Sequence, residues 1–264
     1  MTRAETFAAL HRSGDPLLLP NAWDAGSAVA VADAGARAVA TTSAGVAWSL
    51  GRPDGGELAA DQVAAVVERI AGAVSVPVSA DVEAGYSSVE ETVTAVVQAG
   101  AVGVNLEDRA DGAMLEPSAQ ADRLAAARAA GDRLGVPVWI NARTDVYLAG
   151  SGSLDEVKQR AEAYAAAGAD SIFVPGLIDL GALRELSAGP LPVAVMAWAG
   201  APAVAEFAAA GVVRVSLGAA IAQAAYALAA RAAREMLAHG VYDVTADGLP
   251  YDRLNALLRA PGQG

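Results

Sequence analysis

Short runs of apolar residues, many of them β-branched, alternate along this chain with longer alanine-rich stretches whose apolar positions recur every three or four residues. The first pattern marks strands buried on both faces, and the second marks amphipathic helices. Eight strand candidates emerge, at residues 17–24, 38–45, 76–83, 103–108, 136–144, 171–176, 192–198 and 213–218. Just before several of them stands an Ala-Gly pair: Ala34-Gly35, Ala99-Gly100, Ala167-Gly168 and Ala210-Gly211. Glycine there can adopt the left-handed conformation that ends a helix and turns the chain back toward the sheet.

Repeated βα units without a Pro/Ser-rich linker predict one domain over residues 1–264, folded as a closed (β/α)8 TIM barrel. An open doubly wound sheet is the rival, but no G-x-G-x-x-G follows the first strand, which argues against a dinucleotide-binding domain. Near the end, "AAIAQAAYALAARAAREMLAHG" is apolar around much of its circumference and is followed by a short helix, "YDRLNALLRA". These C-terminal helices, residues 219–260, need cover on more than one side. A homo-dimer or homo-tetramer would supply it, or the chain's own C-terminus would.

A hydrophobic content of 54% in 264 residues is ample for a large core. The N-terminus "MTRAETFAALHRSGDP" lacks the basic-then-apolar order of a signal peptide, and the apolar runs are too short to span a bilayer, so a cytoplasmic protein is expected. With no cysteine, thiolate metal sites and cysteine nucleophiles are excluded. A net charge of −12 argues against nucleic acid or an anionic membrane as partner, so an anionic substrate must be captured locally. The single lysine, Lys158, lies in what reads as an exposed helix face, which disfavours Schiff-base chemistry. His11 and His239 sit near the chain ends in helical contexts and are expected on the surface.

The remaining chemistry falls at strand ends, where a barrel of this kind places its active site. Strand alternation puts Asp81 with Glu83, Asn105 with Glu107 and Asn141 with Arg143 on shared faces. Three carboxylates beside one arginine leave surplus negative charge that a hard divalent cation, Mg2+ or Mn2+, would neutralise through Asp81, Glu83 and Glu107, directly or through water. The alternative is a salt-bridge network closing the barrel top, with Arg143 on Glu107 or Glu83. Thr42 to Gly45 offers hydroxyls and closely spaced amides suited to a carboxylate or oxyanion, or forms an ordinary βα loop. Asp54, in "RPDGG", belongs to a turn or reaches water on the ion.

Taken together, "PNAWDAGSA", "TTSAGVAWSLGRPD", "SADVEAGY", "GVNLED", "INARTD" and "FVPG" resemble the isocitrate lyase and phosphoenolpyruvate mutase superfamily, from about Leu18 to about Asp243. The resemblance implies a (β/α)8 barrel, commonly with its last helix exchanged between subunits. It also implies Mg2+ held largely through water by Asp81, Glu83 and Glu107, with Asp54 close by. The substrate would be a small anionic carboxylate, a 2-oxo or enolpyruvate acid held by Thr42, Ser43, Ala44, Gly45 and Arg143. The shared chemistry is formation of a pyruvate enolate, or its phosphorus-bearing relative, by breaking a bond to carbon three.

Where lyases of the superfamily carry a Lys-x-Cys-Gly-His loop, this chain reads "EDRADGAMLEP", shorter and without lysine, cysteine or histidine. The lysine, asparagine and serine of the mutase loop are missing too, and "PVAVMAWAG" lacks the asparagine common after the seventh strand. Decarboxylation of a 2-oxo diacid, or another carbon-carbon lyase step, asks least of the missing groups and ranks first. Tyr86 or water would protonate the enolate, unless Tyr86 simply packs its loop. Phosphorus-carbon chemistry, as mutase or hydrolase, ranks second, and non-catalytic binding of a 2-oxo acid third. Selectivity would come from Trp23, Trp48 and Trp198 and from a lid after Glu107, with Ala110–Gly112 as the hint of a hinge.

Overall fold

The computed structural model describes residues 1–55, 58–110, 112–150 and 152–259. Asp111 of the hinge tripeptide, Ala260 and the last four residues lie outside these. The strands are β1 (Leu17–Leu19), β2 (Asn21–Ala22), β3 (Val39–Thr41), β4 (Val78–Asp81), β5 (Gly103–Glu107), β6 (Arg109–Ala110), β7 (Ala113–Met114), β8 (Trp139–Arg143), β9 (Ser171–Phe173), β10 (Val193–Met196) and β11 (Val212–Ser216). The helices are α1 (Arg3–Ala9), α2 (Ala25–Asp33), α3 (Ser43–Ser49), α4 (Ala60–Ala73), α5 (Val89–Gln98), α6 (Pro117–Arg133), α7 (Leu154–Ala166), α8 (Leu180–Ser187), α9 (Val204–Ala209), α10 (Ala220–His239) and α11 (Tyr251–Arg259).

Nine strands form one sheet in the order β1-β11-β10-β9-β8-β5-β4-β3-β2, all paired in parallel. β1 and β2 are halves of one strand divided at Pro20, which has no N–H to give to a ladder. The row therefore closes on itself as the expected (β/α)8 barrel. All eight strand candidates are present in shorter form. The second stops at Thr41 because Ser43 already opens α3, and the third stops at Asp81 rather than Glu83. The four Ala-Gly pairs end their helices with glycine φ of 98°, 104°, 90° and 88°.

Strand side chains are buried on both faces, as a barrel wrapped in helices requires. The helices packed on the barrel wall bury an apolar stripe; in α4 it is Val63, Val66, Val67, Ile70 and Ala71. Ser88, Ser153 and Asp179 cap the N-termini of α5, α7 and α8 with side-chain oxygens. Below the barrel α1 acts as a plug, its Phe7 and Leu10 packed with Leu17, Leu19, Ala38, Ala40 and Val102. Phe7 reaches the barrel floor because Gly103 has no side chain; a Cβ there would lie 2.6 Å from Phe7 Cε1.

His11 departs from expectation. It lies beyond the end of α1, stacked on Trp139 with ring centroids 4.0 Å apart and edge-on to Phe7 at 4.8 Å. Its Nδ1 donates to the Phe7 carbonyl at 2.9 Å, and its Nε2 is sealed from water without a partner. Burial, with the charge of Arg214 second, lowers its pKa to about 3. His239 is exposed on α10, and Lys158 pairs across to Glu185 on α8.

Of α10 only Ala222 is buried, and Tyr226, Leu228, Met236 and Leu237 stand in solvent. α11 folds back onto α2, where Arg253 pairs with Asp33, and so leaves most of α10 uncovered. No helix among the described residues is long and apolar enough to cross a membrane.

Candidate active site

Register sets the geometry at the C-terminal barrel end. Asp81, Asn105, Asn141 and Ser171 are neighbours at one level across β4, β5, β8 and β9, and Glu107, Arg143 and Phe173 are neighbours at the next level up. The expected convergence of polar groups divides between two adjoining cavities. One, of about 300 Å³, is lined by Thr42, Ser43, Ala44, Asp54, Asp81, Asn105, Arg143 and Trp198, with Leu148, Phe173 and Met196 as apolar wall. The other, of about 980 Å³, takes in Glu83, Tyr86, Glu107 and Asp145 beneath the β6–β7 hairpin. Trp23 and Gly45 line neither. They pack on each other instead, since a Cβ on Gly45 would stand 2.9 Å from Trp23 Cβ. Trp48 lies further out, edge-on to Tyr226 at 6.2 Å.

Asp81 is fixed on the wall of the smaller cavity. Its Oδ2 accepts from the Ser43 N–H at 3.3 Å, its Oδ1 from the Glu83 N–H at 3.4 Å, and its own N–H donates to Thr41 Oγ1 at 2.8 Å. Glu83 lies past the end of β4 with φ 49°, in the left-handed region that few side chains tolerate, and Tyr86 repeats this at φ 50°. Two such residues flanking Gly85 (φ 80°) make a strained turn, the kind held in place by surrounding structure at functional sites. Tyr86 Oη donates to Glu83 Oε1 at 3.3 Å. Burial, then the charges of Glu83 and Asp81, raise the Tyr86 pKa far above the ordinary phenol value, so it remains a protonated donor to Glu83.

Arg143 Nη1 meets Glu107 Oε2 at 2.9 Å, so the ion-pair alternative is present in the structure. The planar fork itself goes elsewhere: Nε and Nη2 donate to the two oxygens of Asp145 at 2.6 and 2.8 Å. Burial works against the charged arginine, but the Asp145 hydrogen bonds and the charges of Glu107 and Asp81 outweigh it and raise its pKa. Glu107 shows the opposite balance. Burial, with Asp81, Asp145 and Glu83 nearby, lifts its pKa to about 8 in spite of Arg143. Asp54, at the exposed cavity mouth, is raised by partial burial and by Asp81, against Ser43, Arg143 and the Gly55 amide.

Burial is the main cause of both raised carboxyls, and neighbouring carboxylates add to it. Among the described residues no three Asp, Glu, His or Cys side chains are grouped to hold one ion directly. An all-oxygen set with surplus charge fits a hard cation that keeps much of its water, as Mg2+ does.

Several residues escaped the sequence reading. Asp145 orients Arg143 from two positions on, and Asp108 adjoins Glu107. Asp108 is fully buried, accepting from the Asp145 N–H (3.0 Å), Arg160 Nη1 (3.1 Å) and Tyr164 Oη (2.7 Å). Arg160 Nη1 also donates to the Leu115 carbonyl at 2.8 Å, and the Leu115 N–H to the Asp108 carbonyl at 2.8 Å, so both feet of the hairpin meet at this aspartate. Arg123, on α6, donates to the Ala84 and Glu107 carbonyls, tying together the loops that carry Glu83 and Glu107. Beneath Asp81 runs a polar relay: Trp139 Nε1 donates to Ser171 Oγ (2.8 Å), Ser171 Oγ to Asn141 Oδ1 (2.6 Å), and Asn141 Nδ2 to Asn105 Oδ1 (2.8 Å). Arg214 Nη2 donates to the same oxygen at 3.0 Å.

Comparison with known proteins gives this arrangement a context. The sequence pattern described as phosphoenolpyruvate phosphomutase matches residues 7–237. An uncharacterized protein of Mycobacterium tuberculosis is 36% identical over 87% of this chain and 88% of its own length. The 2-methylisocitrate lyase of Escherichia coli is 33% identical over 69% of this chain and 65% of its own. Among solved structures, oxaloacetate acetylhydrolase in complex with the product oxalate superposes with a TM-score of 0.87 at 25% identity, covering 98% of this chain and 94% of that one.

Proposed function

Since the chain belongs to the phosphoenolpyruvate phosphomutase family, in a superfamily that includes lyases and mutases, we propose that it is a Mg2+-dependent enzyme that forms a pyruvate enolate from a small 2-oxo or 2-hydroxy acid. Decarboxylation or another carbon-carbon cleavage is the step we rank first. The observation that carries this reading is the convergence of Asp81, Asp54, Asn105 and Arg143 with the Ser43–Ala44 backbone on one cavity of about 300 Å³. That size suits an acid of few carbons.

Asp81, Glu83 and Glu107 would hold the cation, with Asp54 close by. When bound, it supplies positive charge to the oxyanion that develops as the bond to carbon three breaks. Arg143 keeps two of its five N–H groups after serving Asp145 and Glu107, and these would bind the substrate carboxylate. The Ala44 N–H lies before the first helical hydrogen bond of α3, which Val46 makes to Thr42, and is free to support the same group. Leu148, Phe173, Met196 and Trp198 offer an apolar wall suited to a departing neutral CO2. Tyr86 lines the other cavity and serves in this scheme to hold Glu83, leaving water to protonate the enolate. The exposed apolar side of α10 favours a second copy of the chain as its cover, as homo-dimer or homo-tetramer.

A second reading, phosphorus-carbon chemistry, draws support from a solved Burkholderia cenocepacia protein whose description as a phosphonomutase is itself provisional. It is 43% identical with a TM-score of 0.84, covering 88% of this chain and 98% of that one. One experiment decides between them: pyruvate release above the enzyme-free rate from oxaloacetate, phosphonopyruvate, 2-methylisocitrate and 2,3-dimethylmalate, together with phosphoenolpyruvate formation from phosphonopyruvate, with Mg2+ and with chelator, in wild type and Asp81→Ala. Metal-dependent turnover of one substrate, lost in the variant, is expected and identifies the leaving group. Turnover that survives chelation and the substitution would refute the proposed cation site.

A further inference from the structure

The relay beneath the cavity has a fixed polarity. Indole N–H and guanidinium groups can only donate, so Trp139 at one end and Arg214 at the other dictate the orientation of every amide between them. Asn105 must turn its oxygen downward, where it receives both Asn141 and Arg214. A flipped amide would set Nδ2 against two donors. Its Nδ2 therefore faces the other way, toward the 300 Å³ cavity that Asn105 lines. That nitrogen has no acceptor among the described residues and is not one of the polar atoms sealed from solvent.

Arg214 adds a second observation. It is 1% exposed, forms no ion pair among the described residues, and leaves Nη1 sealed without a partner. An unpaired cation in the barrel interior is costly. Burial lowers its pKa to about 9, with the charge of Asp81 acting against that fall. Such a group makes physical sense under a site that receives an anion, with one amide interposed to carry its polarisation upward.

We propose that Asn105 is a substrate-binding residue, donating from Nδ2 to a carboxylate or enolate oxygen of the bound 2-oxo acid, and that Arg214 is the positioning residue that locks it in this orientation. The inference rests on the enolate reading of the site. Isothermal titration with oxalate, a planar dianion shaped like a 2-oxo acid enolate, in excess Mg2+ tests it, with thermal unfolding run in parallel.

Asn105→Asp gives Arg214 a buried carboxylate that offsets the new repulsion from Asp81, so its unfolding midpoint stays near that of wild type. Yet its oxalate affinity falls about a hundredfold, because a donor becomes a repelling acceptor. Asn105→Leu loses the donor alone and binds about tenfold more weakly. Arg214→Lys weakens binding severalfold in the wild-type background and has no effect in the Asn105→Leu background, as a residue acting through Asn105 must.

Wild-type affinity retained by both Asn105 variants overturns the inference and leaves the enolate reading standing. Equal losses from Arg214→Lys in both backgrounds overturn the positioning role. A wild type that ignores oxalate overturns the enolate reading and this inference together.

Discussion

Lowering the pH from 7 to 5 should remove the stability that depends on a neutral His11, and the size of this contribution follows from its surroundings. The ring is stacked on Trp139, edge-on to Phe7, with Nε2 sealed and Arg214 nearby, and its folded pKa is lowered to about 3 from the ordinary 6.5. Between those values the unfolded chain binds a proton that the folded chain refuses, so stability falls as pH drops through 6.5 and levels off below about 3. At pH 5 the loss is about 2 kcal/mol, or roughly 4–8 °C in Tm for a domain of this size. Glu107 acts with the opposite sign. Its pKa, raised to about 8, makes the folded state the better proton binder between 4.5 and 8, so it gains stability on acidification. That contribution is common to wild type and His11→Phe and cancels in their difference. The assay is the Tm difference between these two proteins from pH 7.5 to 5. The phenyl ring keeps the stack and loses the bond to the Phe7 carbonyl, a constant penalty, so wild type should lose ground to the variant as pH falls. A difference that stays flat across the range would refute the buried neutral imidazole.

Two further outcomes follow from the site. Asp145→Asn removes the carboxylate that engages Nε and Nη2 along one edge of Arg143, and KM for the turned-over substrate should rise about tenfold with little change in the Mg2+ requirement; an unmoved KM would show that Asp145 does not orient the arginine. Gly85→Ala places a Cβ 2.6 Å from Val89 Cγ2 at φ 80° and should cost about 1–3 kcal/mol in urea unfolding, with reduced turnover because Glu83 and Tyr86 share that turn.

The barrel was legible because its signals are local and repeated: apolar strands, amphipathic helices and Ala-Gly stops. Asp81, Arg143 and the Thr42–Ala44 segment were legible because a barrel concentrates polar side chains at one end of its strands. What could not be read depends on which atoms face each other. Arg160 and Tyr164 look like part of a solvated helix face, and only the packing of α7 on the barrel reveals that they converge on Asp108. The orientation of Arg143 was hidden likewise, because Asp145 lies two residues away and reads as loop. His11 was misjudged because its position near the chain start suggested solvent, whereas α1 tucks under the barrel and takes the following residue with it. Glu83 owes its place to a left-handed backbone that strand alternation does not foresee.

The pinched base of the β6–β7 hairpin has a consequence for how this architecture can be rebuilt. Because Asp108 and Leu115 are bonded to each other and both held by Arg160, the chain leaves and re-enters the barrel at nearly one point. A segment of different length grafted between those residues would change the loop-closure term by well under a kilocalorie per mole for a modest extension and would leave the strands in register. The hairpin is thus an exchangeable cassette mounted on a fixed socket, and new reactivity could be installed over the same cavity by replacing six residues.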